Sequence, residues 1–433
     1  MRSRNFNHQQ RRAVVTGLGP VSPNGIGVQA FWANCLAGQS GIHGIDAFPV
    51  DGFKSKIAGQ VRDFNPAELG VSAEQVKRLD RFAQFGIAGA NLAIDDAGLR
   101  AGFGDGERAG VCIANAISGT RLMEAEFLTL TENGTAALDP THVCSHLYQA
   151  ATFNSLSAEV AAMYGLHGPC CTLSTGCTAG LDAIGLALDA IRSGEADVML
   201  CGAAEAPITP IAFAAFDVIG ALSSKRNHEP ARASRPFDRE RDGFVLGEGG
   251  AVLVLEEREH ALHRGARIYA EVLGFGSCNN AYHMTDLPPD GVDLAHAIEL
   301  ALADGRTAPE QIDYIAAHGS STRQNDINET AAFKRVFGAR AYSVPASSLK
   351  SMTGHPLAAA NALESVASVM SVFTAKLHPT INYEHPDPGC DLFYVPNQAI
   401  TRTVRAVLKT ASGFSGIHSA VIFGESGLVG GAS

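Results

Sequence analysis

Gly168-Pro169-Cys170-Cys171-Thr172-Leu173-Ser174-Thr175-Gly176-Cys177-Thr178-Ala179-Gly180-Leu181-Asp182 is the stretch on which the fold turns. Residues 170–174 carry thiol, β-branched or short side chains, the composition of a buried strand. Beyond them Leu181, Ile184, Leu188 and Ile191 recur at helical spacing, which predicts a helix through 192. Cys177 therefore falls at the turn from a strand into a helix. The first turn of a helix has unpaired N–H groups and the positive end of the dipole. Both favour a thiolate, the nucleophilic form of cysteine. Gly176 and Gly180 leave room for a substrate and for a neighbouring backbone. The pattern is that of a nucleophile elbow built around cysteine in place of serine. Most free cysteines are small buried hydrophobes, and Cys170, Cys171 and Cys201 are read that way.

Working outward, the same alternation recurs. Strand-like runs fall at 13–17, 110–114, 198–203 and 251–255, with helical patterns at 28–37, 81–97 and 154–164. After about residue 266 the rhythm restarts. Strands are expected at 268–275, 312–316, 344–347, 407–411 and 419–423, and helices at 293–303, 325–337 and 357–373. Apolar strands alternating with helices indicate an α/β protein whose sheets are covered on both faces. The chain divides into two α/β halves, 12–266 and 267–427, with no repeat visible residue for residue. No linker rich in Pro or Ser separates them, so one intimate unit is expected. A stretch near 120–150, rich in Glu, Thr and His, reads as an inserted cap.

Bulk properties exclude several classes. The chain has 433 residues, a net charge of −11 and 18% charged residues, which argues against a nucleic-acid-binding protein. Residues 1–12 (MRSRNFNHQQRR) are basic and polar with no apolar run, so they are read as a flexible tail, neither signal peptide nor anchor. Later apolar runs stop well short of a membrane span. Nine cysteines without regular spacing, and no CxxC, make neither a disulfide framework nor a structural zinc site. A reduced, cytoplasmic protein is expected.

Two histidines share the setting of Cys177. His318 directly follows a strand in Ala317-His318-Gly319-Ser320-Ser321-Thr322. His355 lies between a strand and a helix in Ser348-Leu349-Lys350-Ser351-Met352-Thr353-Gly354-His355-Pro356. Both occupy Gly/Ser-rich loops at strand ends, where α/β proteins place their sites. Fifteen histidines are present, so one loop histidine alone carries little weight. By residue type alone, Cys177, His318 and His355 could also hold a metal ion.

Seven motifs in order carry a resemblance: AVVTGLG (13–19), the Cys177 elbow, RPFDRERDGFVLGEGG (235–250), AYHMT (281–285), HGSST (318–322), SLKSMTGHP (348–356) and SGFSG (412–416). Over about 12–424 the chain resembles the β-ketoacyl-acyl-carrier-protein synthases. It is most similar to the ketosynthase-alpha subunit of bacterial type II polyketide synthases. HLYQA (146–150), STGCTAGLDA (174–183), EAPITPI (205–211), CNNAYHMT (278–285) and PDPGCDLFYVP (386–396) carry that finer match.

The resemblance implies a thiolase-like fold, with two similar halves in five α-β-α-β-α layers and the site between them. The first half would carry the nucleophile and the second the two histidines. It implies that Cys177 takes an acyl chain from an acyl carrier protein as a thioester. Malonyl-carrier protein then loses CO2, and its carbanion attacks that thioester. His318 and His355, as neutral imidazoles, would donate to the enolate oxygen. The backbone N–H groups of Cys177 and the gating Phe414 would form an oxyanion hole. Lys350 would tune histidine protonation, and Glu329 would orient Lys350; Asp326 and Glu329 lie eight and eleven residues after His318, as in the family. Thr285, Ser320 and Thr322 match positions that hold malonyl or pantetheine. Neither cofactor nor metal is implied. Ser320, Ser415, Ala358 and Asn361 depart from the family's usual residues around the pocket and gate. Lys77, Arg78 and Arg81, and Lys225 with Arg226, are basic spots that could dock an acidic carrier protein. A second subunit is expected, either a chain-length factor in a heterodimer or a second copy. Ile117 and Tyr148 are expected to wall the pocket toward it. The alternatives are a homodimeric synthase of fatty-acid elongation and a non-condensing chain-length-factor subunit; the presence of Cys177 and both histidines argues against the latter.

Overall fold

In the computed structural model, which describes residues 11–428, strand Ala13–Ser22 lies near the middle of one long sheet. It is buried at every residue. On one side it pairs antiparallel with Gly249–Glu257. The sheet continues through Val198–Glu205 and Ala109–Ala114 to a short edge strand, Cys170–Cys171. On the other side, Ala13–Val15 pair antiparallel with Ala270–Val272 of strand Ala270–Asn279. Then follow Ile417–Gly424, Ala406–Ser412, Tyr314–Ala316 and the edge strand Ala346–Ser347.

Numbered within each half, both sets of five strands run in the order 3-2-4-5-1. In each, strand 2 is parallel to strands 3 and 4, while strand 5 is antiparallel to strands 4 and 1. The duplication absent from the residue sequence is present in the topology.

Helices complete the layers. Arg81–Asp96 covers the outer face of the first half and Val292–Asp304 with Arg323–Phe337 that of the second. Ala179–Arg192 and Ala358–Thr374 lie between the half-sheets, packed on each other and on strands of both. One hydrophobic core runs through this middle layer and includes Leu181, Ile184, Leu188, Ile191, Leu363 and Val366. Each such side chain, fully buried, stabilises the fold by about 1.5–3 kcal/mol. At Gly180 a Cβ would stand 2.5 Å from the carbonyl oxygen of Ala358. Only glycine permits this approach of one central helix to the other.

Most elements fall within two residues of their expected positions. The strand expected at 170–174 pairs only over Cys170–Cys171, because Ile113, next in register on its neighbour, bonds the Ser157 hydroxyl through both its N–H and its carbonyl; Leu173 retains a single bond, from Asn115 N–H at 3.2 Å. At that edge Cys170 is exposed and Cys171 half-buried, so only Cys201 fits the buried reading. The 120–150 stretch contains helix Thr120–Leu130 and most of helix Leu147–Ala151, which packs against it. Of the expected tail, residues 1–10 lie outside the described residues. Arg11 and Arg12 are tied down, pairing with Asp197 and Glu271. Among the described residues no helix is long and apolar enough to cross a membrane.

Candidate active site

Equivalent loops of the two halves meet at one cavity. Cys177 precedes the central helix of the first half, in a tight turn over Gly176–Thr178. Gly176 takes φ +66°, a backbone state that glycine adopts freely. His355 precedes the central helix of the second half. Its N–H donates to Val245 O at 2.7 Å. His318 directly follows the second strand of that half. Phe414 lies in the connection between strands Ala406–Ser412 and Ile417–Gly424.

Cys177, His318, His355 and Phe414 line a cavity of about 400 Å3, together with Thr285, Ser320 and Thr322. The seven cavity-facing residues singled out from sequence thus share one space. The imidazole rings of His318 and His355 are 5.2 Å apart and nearly perpendicular. Phe244 meets His355 edge-on at 5.4 Å. Among the described residues, no group of three or more His, Cys, Asp or Glu side chains is arranged to hold a metal ion.

The lysine behind the histidines determines one tautomer. Lys350 Nζ lies 3.2 Å from His318 Nδ1 and donates to the His318 carbonyl at 2.8 Å. An ammonium can only donate, so Nδ1 accepts and the ring proton sits on Nε2. That nitrogen remains for the cavity. Burial, with the charge of Lys350 next in effect, holds both histidines well below the usual imidazole range. Both are therefore neutral near pH 7, and a neutral imidazole with a protonated Nε2 is a donor.

The thiol differs from its expected state. Burial pushes Cys177 up to about 11, outweighing the opposing pull of Lys350 and of the N–H groups of Phe414 and Cys177 itself. The resting sulfur is a thiol, so the helix terminus alone does not make a thiolate here. The same two N–H groups face the Cys177 sulfur. Asn361, one of the departures from the family's usual residues, donates its side-chain amide to the Cys177 carbonyl and ties the turn to the second half. Ser415 takes φ +69°, and its N–H donates to Met284 O at 2.7 Å.

One expected pairing is absent. Glu329 does not meet Lys350. Its carboxylate accepts the N–H groups of His318 at 2.7 Å and Gly319 at 2.8 Å, and the hydroxyl of Thr410 at 2.7 Å. The partner of Lys350 is Glu364, whose Oε1 accepts from Nζ at 2.5 Å. Glu364 was legible as a charge within the small and apolar run NALESVASV, where a buried ion needs a partner. Asp326 accepts the N–H of Phe237 at 2.8 Å and faces Arg241, so it braces the loop region and not Lys350.

The basic spots divide. Arg78 is bound to Glu159 at 2.5 Å. Arg81 is bound to Glu248 at 2.9 Å and stacks over Phe85. Both serve the fold, and only Lys77 of that group is exposed and uncommitted. Lys225 and Arg226 line a second cavity with Arg239, Arg323, Glu229 and Glu240, where Arg226 is bound to Glu240 at 2.5 Å, and Arg323 also lines the catalytic cavity. Ile117 packs in the apolar cluster that includes Cys177 and Phe244. Tyr148 is 85% exposed and does not wall the cavity of this chain.

Known proteins resemble the chain over most of its length. The N-terminal domain profile of β-ketoacyl synthases matches residues 10–261, and the C-terminal domain profile matches 269–384. The chain belongs to the β-ketoacyl synthase family. It is a condensing enzyme of the thiolase superfamily. It is 47% identical to the tetracenomycin polyketide synthase ketoacyl synthase alpha subunit of Streptomyces glaucescens, over 96% of this chain and 97% of that one. A solved AntDE:AntF structure, a type II polyketide synthase acyl-carrier protein in complex with its ketosynthase, is similar at TM-score 0.90. It is 47% identical and spans 96% of this chain and all of that one. The ishigamide ketosynthase/chain length factor is similar at TM-score 0.85 and 36% identity, over 96% and 99% of the two chains.

Proposed function

We propose that this β-ketoacyl synthase is the condensing subunit of a type II polyketide synthase, with residues 12–266 supplying the nucleophile and 267–427 the enolate-stabilising groups. The convergence of one thiol, two neutral histidines and two backbone donors on one cavity carries this reading.

Cys177 attacks the thioester carbonyl of an acyl-carrier protein. The oxyanion accepts from the N–H groups of Cys177 and Phe414. Collapse expels the pantetheine sulfur, which takes up the proton that the thiol gives up. Malonyl-carrier protein then enters, with Thr285, Ser320 and Thr322 along its path. Its C–CO2 bond breaks, and the electron pair becomes an enolate whose oxygen accepts from His318 and His355. The enolate carbon attacks the Cys177 thioester. The tetrahedral intermediate collapses, the β-ketoacyl chain leaves on the carrier, and the Cys177 sulfur takes a proton from solvent. A charged imidazole would bring a positive charge next to Lys350, and the depressed histidine values keep that from happening near pH 7. Lys350 keeps the His318 proton on the cavity side.

The acidic carrier protein docks over the second cavity, at Lys225, Arg226, Arg239 and Arg323, of which Arg323 also lines the catalytic cavity. The second subunit covers exposed apolar side chains around helix Thr120–Leu130, among them Met123, Phe127, Tyr148 and Ile211. Helices Thr120–Leu130 and Pro210–Val218 adjoin there, with Ile211 N–H on Glu124 at 3.0 Å. The occupant proposed is a chain-length factor, which closes the far end of the pocket beyond Ile117. An obligate interface of this kind buries more than ~2,000 Å2 and is largely apolar. The enzyme works in the cytoplasm, where its nine free cysteines stay reduced.

Co-expression with a candidate partner, size-exclusion chromatography and product mass test this reading. A one-to-one complex that releases CO2 and extends a carrier-bound chain is expected. A homodimer that makes full-length product alone would overturn the heterodimer and favour a fatty-acid-type synthase.

A further inference from the structure

Strand Ala406–Ser412 reads AVLKTAS and is buried throughout, yet it carries a lysine. Lys409 is wholly shielded from solvent. Its Nζ lies 2.7 Å from Glu364 Oε2, an ionic contact, and donates to the Thr410 carbonyl. The other oxygen of Glu364 accepts from Lys350, which in turn contacts the ring and carbonyl of His318. The next residue, Thr410, donates its hydroxyl to Glu329, which holds the His318 and Gly319 N–H groups. Residues 409 and 410 thus touch both carboxylates that brace His318, one acting through Lys350 at the ring and the other at the backbone.

We propose that Lys409 is a positioning residue for condensation, whose ammonium holds Glu364 and Lys350 in place behind His318 and keeps both histidines uncharged. The inference rests on the reading of His318 and His355 as donors to the enolate. Without Lys409, Glu364 and Glu329 would be two buried carboxylates with one lysine, Lys350, to balance them. An unmatched buried charge is strongly unfavourable. Lys350 would then be drawn toward Glu364, and the positive field on the histidines would weaken.

The groups that face this cluster come from several elements. Lys409 feels Glu364, Lys350 and Glu329; burial lowers it to about 8, against the pull of both carboxylates. It is therefore largely charged at neutral pH. His318 faces Lys350, His355, Lys409 and His418, and His355 faces Lys350 and Lys409. His378 faces Glu364 and Lys409. In each of these three histidines the charge of Lys409 opposes protonation.

The test is the pH profile of CO2 release from malonyl-carrier protein by the intact complex. Wild type, Lys409→Met, Lys409→Gln and Lys409→Arg are compared, with acyl transfer to Cys177 measured on the same preparations. Wild type should hold its rate through the ordinary imidazole range. The acid limb of the Met and Gln profiles should lie about one pH unit above that of wild type, so that on that limb they release CO2 about tenfold more slowly, the effect of a histidine pKa raised by roughly one unit. Acyl transfer should change by no more than about twofold, because the charges that act on Cys177 are those of Lys350 and Glu205. The Arg variant should keep the wild-type profile. Met and Gln profiles that superimpose on wild type would overturn the proposal. So would neutral variants that fail to fold while Lys409→Arg is fully active, since the lysine would then serve the fold alone. His318→Ala and His355→Ala separate the two levels. If they decarboxylate normally, the site reading falls; if they fail while Lys409→Met keeps a wild-type profile, only this inference falls.

Discussion

After the second strand of the first half the chain reads Asn115-Ala116-Ile117; after the second strand of the other half it reads Ala317-His318-Gly319. Both loops are held by the buried carboxyl group of a glutamate, which accepts two consecutive N–H groups. Glu205 takes Ala116 at 2.7 Å and Ile117 at 3.2 Å, and Glu329 takes His318 and Gly319 at 2.7 and 2.8 Å. Each has a third donor, the Ala358 N–H for Glu205 and the Thr410 hydroxyl for Glu329. Burial raises both carboxyls, Glu205 to about 8. The loops differ in what they present. The first offers an apolar wall beside Cys177, and the second an imidazole. The third strands repeat the lesson, since one leads to Cys177 and the other to Lys350 and His355. The clamp belongs to the fold, and the chemistry lies in the side chain mounted on it.

This contrast can be broken at several points. Cys177→Ala should remove acyl loading and condensation together. Intact-protein mass after incubation with acyl-carrier protein should show an adduct on wild type alone, and an adduct on the variant would end the assignment. His318→Ala and His355→Ala should lower CO2 release by ~10²–10³, the usual effect of losing one positioned donor. They should still accept acyl groups, if more slowly, so loading and decarboxylation divide between the halves. The clamps sharpen the comparison at smaller scale. Glu329→Gln should slow decarboxylation by about tenfold, because a neutral amide holds the His318 loop less firmly. Glu205→Gln should leave decarboxylation near wild type and instead change stability against pH. Glu205 has a folded value above its unfolded one, so the folded state binds the extra proton between about 4.5 and 8, and stability falls as pH rises through that window. The decline in unfolding free energy from about pH 6 to 8, measured by denaturant titration, should therefore be shallower in Glu205→Gln, by at most about 1.4 kcal/mol per pH unit. An unchanged slope would show that Glu205 is not the titrating group.

The fold was legible because hydrophobic periodicity and the motif order both record it. Residues 170–174 and the 181/184/188/191 stripe announced the elbow, and the rhythm that restarts near 266 announced the second half. The duplication itself was hidden, since equivalent strands share only a need for burial and many apolar sequences meet it. The cavity-facing residues were legible because reacting groups sit in short loops of distinctive composition. The braces behind them were not. Glu364 and Lys409 come from elements 45 residues apart in sequence and meet only through packing. A lone charge inside a small-residue helix or an apolar strand was the available signal. The raised thiol was hidden too, because the sequence shows the helix terminus but not the depth at which Cys177 lies.

Every group proposed to act on substrate hangs from a connection between elements, while the ten strands and two central helices are built from interchangeable apolar packing. A gene copy of this chain that lost the single sulfur at position 177 would still fold, since the turn is held by Gly176, the Asn361 amide and the helix that follows. Such a copy would inherit the same exposed apolar face as its parent. Selection could then reshape its cavity without regard to turnover, while pairing with the parent came ready-made. An inert sibling of matching size is thus the least costly partner that this architecture can acquire.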